Sequence, residues 1–450
     1  MTSPFDQTGL TATAERLVAA ALAAGADTAD ALAVRSLSQS VTVRDRAIEE
    51  SERSEADNVG LRAFVGRRQA VVSTNDLGRE GADALAERAV AMARAAPEDR
   101  FAGLAEPELI ARNFPDLDLL DGALPAVGAL EELARVTEAA ALAVRGVTKS
   151  GGASASAGVG GMVLVTSTGF RGAYLGSRYG ISVEAIAGEG TAMESDHDSS
   201  SARHAGDLEA AEAIGKSAGE RAVKRLNPRK VATRRVPVVY DWRAAASLIG
   251  HLASAINGSA LARRTSFLQE RLGERLFAKG VSVIDDPLRR RGLRSQPFDA
   301  EGVATARRAL VEDGVLTSWV LDCATARELG LKTTGNAQRG VSSVPSPGVS
   351  NLHLASGQVS PQALIAEIDD GLFVTDLIGM GANVVTGDYS RGAAGFWIER
   401  GELAYPVSEV TIAGSLVDIF RTLTPANDLR FRHGINAPTV RVDDLTVAGV

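Results

Sequence analysis

The stretch RAAASLIGHLASAING, residues 243–258, places one histidine inside a helical pattern. Leu248, Ile249, Leu252 and Ile256 recur at the spacing of one helix face, and Asn257-Gly258 supplies a stop. Zinc peptidase helices carry two histidines on one face. Glutamate follows the first, because catalytic zinc needs three protein ligands and a water whose proton the glutamate accepts. Here residues 246 and 247 are Ala and Ser, so neither ligand nor base precedes His251. His251 alone does not hold zinc, and it reads as a residue at the edge of an apolar face.

Other residues invite the same question. MESDHDSSSARH, residues 193–204, gathers Glu194, Asp196, His197, Asp198 and His204, which are metal-ligand types at close spacing. Such clusters are common in exposed loops, and the stretch reads as a polar loop between a strand and a capped helix. Cys323 falls at a strand-to-helix junction, where a helix start lowers a thiol pKa. A small buried cysteine is the commoner use of such a site. TKSGGASASAGVGG, 148–161, is a small-residue loop without the Gly-Lys-Ser/Thr ending of a phosphate loop. No Gly-x-Ser-x-Gly elbow occurs. In the glycine-interrupted run 379–402, Asp388, Tyr389, Ser390 and Arg391 are consecutive polar side chains within an apolar strand region. They predict either a hydrated turn or a groove where a partner chain adds as a strand.

These residues must be held by a fold. The chain has 450 residues, 45% hydrophobic and 23% charged, which is ordinary globular composition. Aromatics make up only 4%, so Ala, Val, Leu and Ile must fill the core. A helix is predicted at 9–25, strands at 31–37, 39–45, 58–65 and 67–74, and a helix at 79–95. After a proline-rich and acidic linker at 106–122 come a helix at 125–145, three glycine-punctuated strands over 162–188, and a helix at 207–226. The last 220 or so residues read differently. A buried strand precedes the His251 helix, and hairpins are predicted across Glu312-Asp313-Gly314 and across Glu399 to Glu402. The fold class expected is α+β. An N-terminal α+β domain (1–232, sub-regions about 1–105 and 106–232) has an antiparallel sheet flanked by helices. A strand-rich, curled or barrel-like C-terminal domain covers 233–450.

Net charge is −8, which argues against a dedicated nucleic-acid binder. The basic stretches 225–235 and 286–296 read as solvated linkers or interface charge, with an acidic ligand or a nucleic acid as the alternative. A single cysteine excludes an intrachain disulfide, and no apolar run reaches the length of a membrane span. The first ten residues lack a signal-peptide pattern, so a cytoplasmic location is expected.

Three segments carry a resemblance to a known family: GLRAFVGRRQAVVSTNDL (60–77), LDCATARELGLKTTGNAQRG (321–340) and TGDYSRGAAGFWIERGELAYPVSEVTIAG (386–414). The chain resembles the TldD/PmbA family over nearly its whole length, and specifically the PmbA (TldE) branch. The resemblance implies two domains. It also implies a heterodimer with a TldD-type zinc peptidase, whose own motif is His-Glu-x-x-x-His plus a later cysteine. Laid on that motif, Ala246 replaces the first histidine, Ser247 the base, and His251 the second histidine; the cysteine falls near Gly392. The function implied is a catalytically silent subunit that helps bind extended peptides and completes the partner's substrate chamber. No catalytic residue, metal ligand or cofactor is expected in this chain, the zinc belonging to the partner. Candidate substrate contacts are His251, Asp388, Tyr389, Ser390 and Arg391. A homodimer is the expected assembly in isolation, and neither a membrane nor a nucleic acid is an expected partner. Two alternatives are an independent hydrolase using the 193–204 cluster and a nucleic-acid-associated regulator.

Overall fold

The computed structural model describes residues 7–75, 79–379 and 381–450. Residues 1–6, part of the stretch read for a signal peptide, and Met380, inside the glycine-rich run, lie outside the described residues. The N-terminal half is built on one antiparallel sheet. Helix α1 (Thr8–Ala23) leads into β1 (Thr28–Arg44), β2 (Ala47–Val65), β3 (Arg68–Thr74) and α2 (Arg79–Ala95). Then follow α3 (Val127–Leu142), β4 (Val147–Thr166), β5 (Arg171–Ala187), β6 (Glu194–Ala202) and α4 (Ala211–Lys224). The strand order is β3-β2-β1-β4-β5-β6.

Period-two alternation decides which face is covered. Ala29, Ala31 and Ala33 of β1 pack with α1 and α2, while Val41 and Val43 further along β1 pack with α3 and α4. Both helix pairs therefore cover the odd-numbered face of β1. The even-numbered face, with Asp30 and Leu32 buried, turns toward the rest of the chain.

Several expectations are corrected here. The strands expected at 31–37 and 39–45 are one continuous strand, β1. The small-residue stretch 148–161 is not a loop but most of β4. Its residues have weak strand propensity, and the neighbouring strands impose the conformation. Close packing explains the composition: a Cβ on Gly158 would lie 2.8 Å from the Leu37 carbonyl oxygen. The 193–204 cluster is likewise mostly strand β6, not a loop.

The C-terminal half opens with β7 (Arg234–Tyr240) and α5 (Trp242–Ala255), the predicted His251 helix. A helix α6 (Cys323–Leu329) follows, then β8 (Asp370–Ile378), β9 (Asp388–Glu399), β10 (Glu402–Ser415) and β11 (Val440–Ala448). β8 runs parallel to β7 and antiparallel to β9, which pairs with β10; β10 and β7 both pair with β11. These five strands close into a barrel, which removes exposed edges. Both predicted hairpins form. Asp313-Gly314 (φ 47° and 83°) and Arg400-Gly401 (φ 53° and 81°) adopt positive φ at both central residues, the geometry that matches strand twist. A second sheet of short strands, including Val283–Asp285 and Leu352–Leu354, lies beside the barrel. A single large core of Val238, Leu248, Leu252, Leu372, Ile412, Val442 and neighbours joins α5 to the barrel. Among the described residues no helix is long and apolar enough to cross a membrane.

Candidate functional site

Helix α5 begins at an N-cap, Asp241, whose side chain accepts from the Arg243 amide at 3.0 Å. Ala244, Ala245, Leu248, Ile249, Leu252 and Ala255 form its buried face. Ser247, Gly250, His251 and Ser254 lie along the adjoining stripe, partly open. Ser247 is engaged with its own helix, its hydroxyl donating to the Ala244 carbonyl at 2.7 Å.

Tyr389 on β9 approaches the His251 ring edge-on, with ring centroids 6.0 Å apart. Tyr389 is 1% exposed and Tyr240, at the end of β7, is 0% exposed. Their hydroxyls perturb one another electrostatically, yet neither has a partner of hydrogen-bond geometry. His251 Nε2 and Arg391 Nε are also buried without a partner. Four orphaned polar atoms thus gather around the middle of α5, where buried polar groups ordinarily find partners. Burial first, and the Arg391 guanidinium second, hold the His251 imidazole below the usual histidine range. Burial pushes both tyrosines up, and Tyr389 adds to the effect on Tyr240.

The candidate contacts divide by strand alternation. Tyr389 and Arg391 lie on the face of β9 toward His251, and Arg391 Nη2 donates to the Leu377 carbonyl at 3.3 Å. Asp388 and Ser390 fall on the other face and are exposed; Asp388 accepts from Thr386 Oγ1 at 2.5 Å. The groove expected for strand addition in this run does not form on β9, because its two edges are occupied by β8 and β10. Residues near Gly392 add no ligand: a Cβ there would meet Ile378 at 3.2 Å.

Zinc does not fit these residues. His251 is the one imidazole of the set, and the charge that acts on it is the Arg391 guanidinium, which opposes a second cation. Among the described residues no three His, Cys, Asp or Glu side chains are grouped to hold a metal.

The carboxylates of the 193–204 cluster are engaged by arginines instead. Asp196 accepts from Arg243 Nη1 at 2.8 Å and lies 3.6 Å from Arg225. Asp198 lies 3.6 Å from Arg221 and 3.4 Å from Arg432. Burial pushes Asp196 up, but Arg243 and Arg225 more than reverse it and leave its carboxyl below the usual range. Of these pairs Asp196–Arg243 fastens β6 to the first turn of α5, so it positions the site helix, while Arg221 and Arg225 tie β6 to α4. His204 Nε2 meets the Asp118 carbonyl at 2.9 Å, on the far side of the cluster. Cys323 is 2% exposed at the start of α6, and burial together with Glu301 pushes its thiol up, so it is the buried kind of cysteine.

Reading the sequence alone missed Tyr240 and the arginine partners of β6. Tyr240 closes the buried run VPVVY and looks like core. The arginines are far from β6 in sequence, and nothing in their spacing announces the pairing.

The comparisons with known proteins identify the family. Residues 29–93, 123–226 and 233–449 match domain 1, the central domain and the C-terminal domain of the PmbA/TldA metallopeptidases. Metalloprotease PmbA of Escherichia coli O157:H7 is 36% identical over 95% of this chain and 94% of its own. The PmbA homologue of Haemophilus influenzae is 36% identical over 91% of this chain and 90% of its own. TldE from Thermococcus kodakarensis shares the fold, with TM-score 0.87 at 22% identity over 97% of this chain and 100% of its own. The chain belongs to the TldD/PmbA family, on its PmbA branch.

Proposed function

We propose that this chain is the non-zinc subunit of a TldD-type peptidase, catalytically silent alone, and that it helps hold an extended peptide for the partner's zinc centre. The observation that carries the reading is the replacement at α5. Where the metal helix would present a histidine and a glutamate stand Ala246 and Ser247, and Arg391 brings a positive charge to the remaining His251. A catalytic zinc site works as a unit of three ligands, a water and a base, and this remnant supplies one of them. The orphaned atoms of His251, Tyr240, Tyr389 and Arg391 are suited to hydrogen-bond a peptide group.

Strand addition remains the binding mode that grips a peptide with least sequence demand. In this fold it needs an edge outside the barrel. Residues 47–58 of β2 pair with β1 on one side and extend beyond β3, whose pairing begins at Val59. That free edge is exposed over 47–55.

The test is a mixed peptidase assay. This chain and a TldD-type protein of the same organism are purified separately and together, with zinc analysis of each. Cleavage should require the partner and should vanish when the partner's zinc histidines are substituted. Cleavage that persists with an inactivated partner, and is lost on mutating this chain, would overturn the reading.

A further inference from the structure

The basic stretch 286–296 comes to lie against the end of β6, where a cavity of about 290 Å³ opens between the two halves of the chain. Arg203, Arg289, Arg290, Arg291, Phe431 and His433 line it. Two of these arginines are spoken for: Arg290 and Arg291 both meet Asp118, and Arg291 also meets Asp207 at 3.0 Å. The other two make no ion pair with a carboxylate among the described residues, although Asp286 acts on Arg289 from farther away. Arg203 donates to the carbonyls of Ser177, Gly292 and Leu293 at 3.2, 3.2 and 2.6 Å. Those contacts give Arg203 a structural role, stitching β6 to the basic stretch, but carbonyls do not neutralise it. The Arg289 guanidinium makes no hydrogen bond among the described residues, while its backbone is bonded to Asp286, Gly292 and Ser295. Its guanidinium lies over the Phe431 ring, 3.4 Å from the centroid.

The surroundings deepen the imbalance. Burial lowers the pKa of both guanidiniums. Arg178, also without a carboxylate partner among the described residues, lies close enough to act on Arg203 and His433. Burial first, then Arg432 and Arg178, keep the His433 ring below the usual histidine range, against an opposing pull from Asp198, so the ring is neutral and offers one N–H donor. Arginines thus outnumber carboxylates here: Asp118 and Asp207 pair with Arg290 and Arg291, Asp286 acts on Arg289 only from a distance, and Arg203 and Arg178 make no ion pair among the described residues. Half-buried charge of this kind gains from a partner that brings the opposite sign. A ligand that brings the negative charge resolves it.

Geometry selects the ligand. Arg203 comes from the end of β6, Arg289 from the basic stretch, and His433 from the segment before Ile435–Asn436. Donors arriving from three separate elements suit a tetrahedral oxyanion, whereas a carboxylate presents its oxygens in one plane. Phe431, 38% exposed, and His433, stacked on Trp242 with ring planes 16° apart, give the wall an apolar surface. We propose that this cavity binds the dianionic phosphoryl group of a small phosphate ester, with Arg289 as the principal contact and Arg203 and His433 beside it. The proposal stands independently of the peptidase reading, because the cavity shares no residue with the His251 cluster.

Isothermal titration at low ionic strength and pH 7.5 tests it, with inorganic phosphate, adenosine 5′-monophosphate and adenosine as probes. Saturable one-to-one binding of the monophosphate is expected, and none of adenosine. Binding of inorganic phosphate as tight as that of the monophosphate supports the oxyanion site and shows that the aromatic wall adds nothing. Arg289→Gln should weaken binding at least tenfold, with circular dichroism and melting temperature near those of the parent, since no polar contact is lost. Arg289→Lys should recover part of the affinity. Arg178→Gln, at an exposed position, should weaken binding a few-fold and serves if the Arg289 variant does not fold. Absence of saturable heat, or equal affinity in the parent and both glutamine variants, would overturn the proposal.

Discussion

Asp30 offers the sharpest test of how the two halves are joined. It lies on β1 directly opposite Arg62 of β2 and is 1% exposed. Oδ2 accepts from Arg62 Nε at 2.9 Å, and Oδ1 accepts from Arg339 Nη1 at 2.6 Å. Arg339 arrives from 309 positions along the chain and its side chain is 0% exposed. Burial raises the Asp30 pKa, but Arg339 and Arg62 outweigh it and hold the carboxyl below the usual range. Asp30→Asn keeps the shape and removes the carboxylate that hydrogen-bonds both buried guanidiniums, leaving Glu301 as the farther charge that acts on them. Breaking a buried pair from one side costs about 3–5 kcal/mol. For a cooperative unit of this size each kcal/mol moves the melting temperature roughly 2–4 °C, so a fall of order 10 °C is expected. Asp57→Asn is the control: its partner Arg35 is 23% exposed, and such pairs are worth at most about 1 kcal/mol. The pH dependence has a definite sign. With the folded pKa depressed, the Asp30 contribution is present above the unfolded carboxylate pKa and is lost as pH falls through the folded one. The gap between parent and Asp30→Asn should therefore hold at pH 7 and close in strong acid. Urea denaturation followed by circular dichroism from pH 3 to 8 measures both. A loss at pH 7 no larger than that of Asp57→Asn would refute the reasoning.

Three further outcomes follow from particular contacts. Burial pushes Asp299 up to about 8 and raises Glu301 as well, so the unfolded chain releases these protons first. Stability should be fullest near pH 4 and fall toward pH 8; Glu301→Gln, which can still accept from the Cys323 amide, should flatten that slope in denaturation midpoints. A Cβ on Gly60 would lie 1.8 Å from the Val341 carbonyl oxygen, so Gly60→Ala should destabilise by roughly 1–3 kcal/mol. Gly128→Ala, on α3 with nothing within 4 Å, should change stability by at most about 1 kcal/mol, in the favourable direction; matched thermal melts compare the two. Ala246→His, Ser247→Glu and Gly392→Cys should each leave zinc unbound when made singly. Combined they should retain zinc weakly, and more firmly once Arg391→Gln removes the opposing charge, as metal analysis after dialysis would show.

Local pattern made much of the fold legible. The α5 face follows from Leu248, Leu252 and Ile256, and the hairpin turns follow from Asp313-Gly314 and Arg400-Gly401, because the spacing and the turn geometry are set within a few residues. The α+β class and the curled C-terminal sheet follow from the same signals. What stayed hidden depends on distant partners. β4 looks like a flexible loop because GGASASAG has little strand propensity, and its conformation comes from being clamped between β1 and β5. At the site, the missing histidine and glutamate are visible in the sequence. That Tyr389 and Arg391 face His251 while Asp388 and Ser390 face away is set by the register of β9 between β8 and β10. A run of four polar residues shows nothing of that division until the strand is placed.

The arginines explain how a site is positioned across two halves. Asp196 is held by Arg243 and Arg225, Asp198 by Arg221 and Arg432, and Asp30 by Arg62 and Arg339. In each group a carboxylate of the N-terminal sheet meets at least one guanidinium from the C-terminal half. Arginine suits this use because its planar fork fixes direction as well as charge, which a lysine ammonium does not. Such pairs add little net stability, since desolvating the charges offsets their attraction, but a mispaired arrangement leaves a buried charge and is strongly disfavoured. They therefore act on geometry. Arg243 lies two turns before His251 on α5, so the contact that docks β6 also sets where the His251 stripe faces. The same residue type changes role along this helix: at its first turn a guanidinium fastens the halves together, and at its middle Arg391 occupies the neighbourhood that a metal ion would need. On the proposed reading more than two ligands differ here. The Arg391 guanidinium opposes a second cation beside His251, which suits the site to electron-rich oxygen.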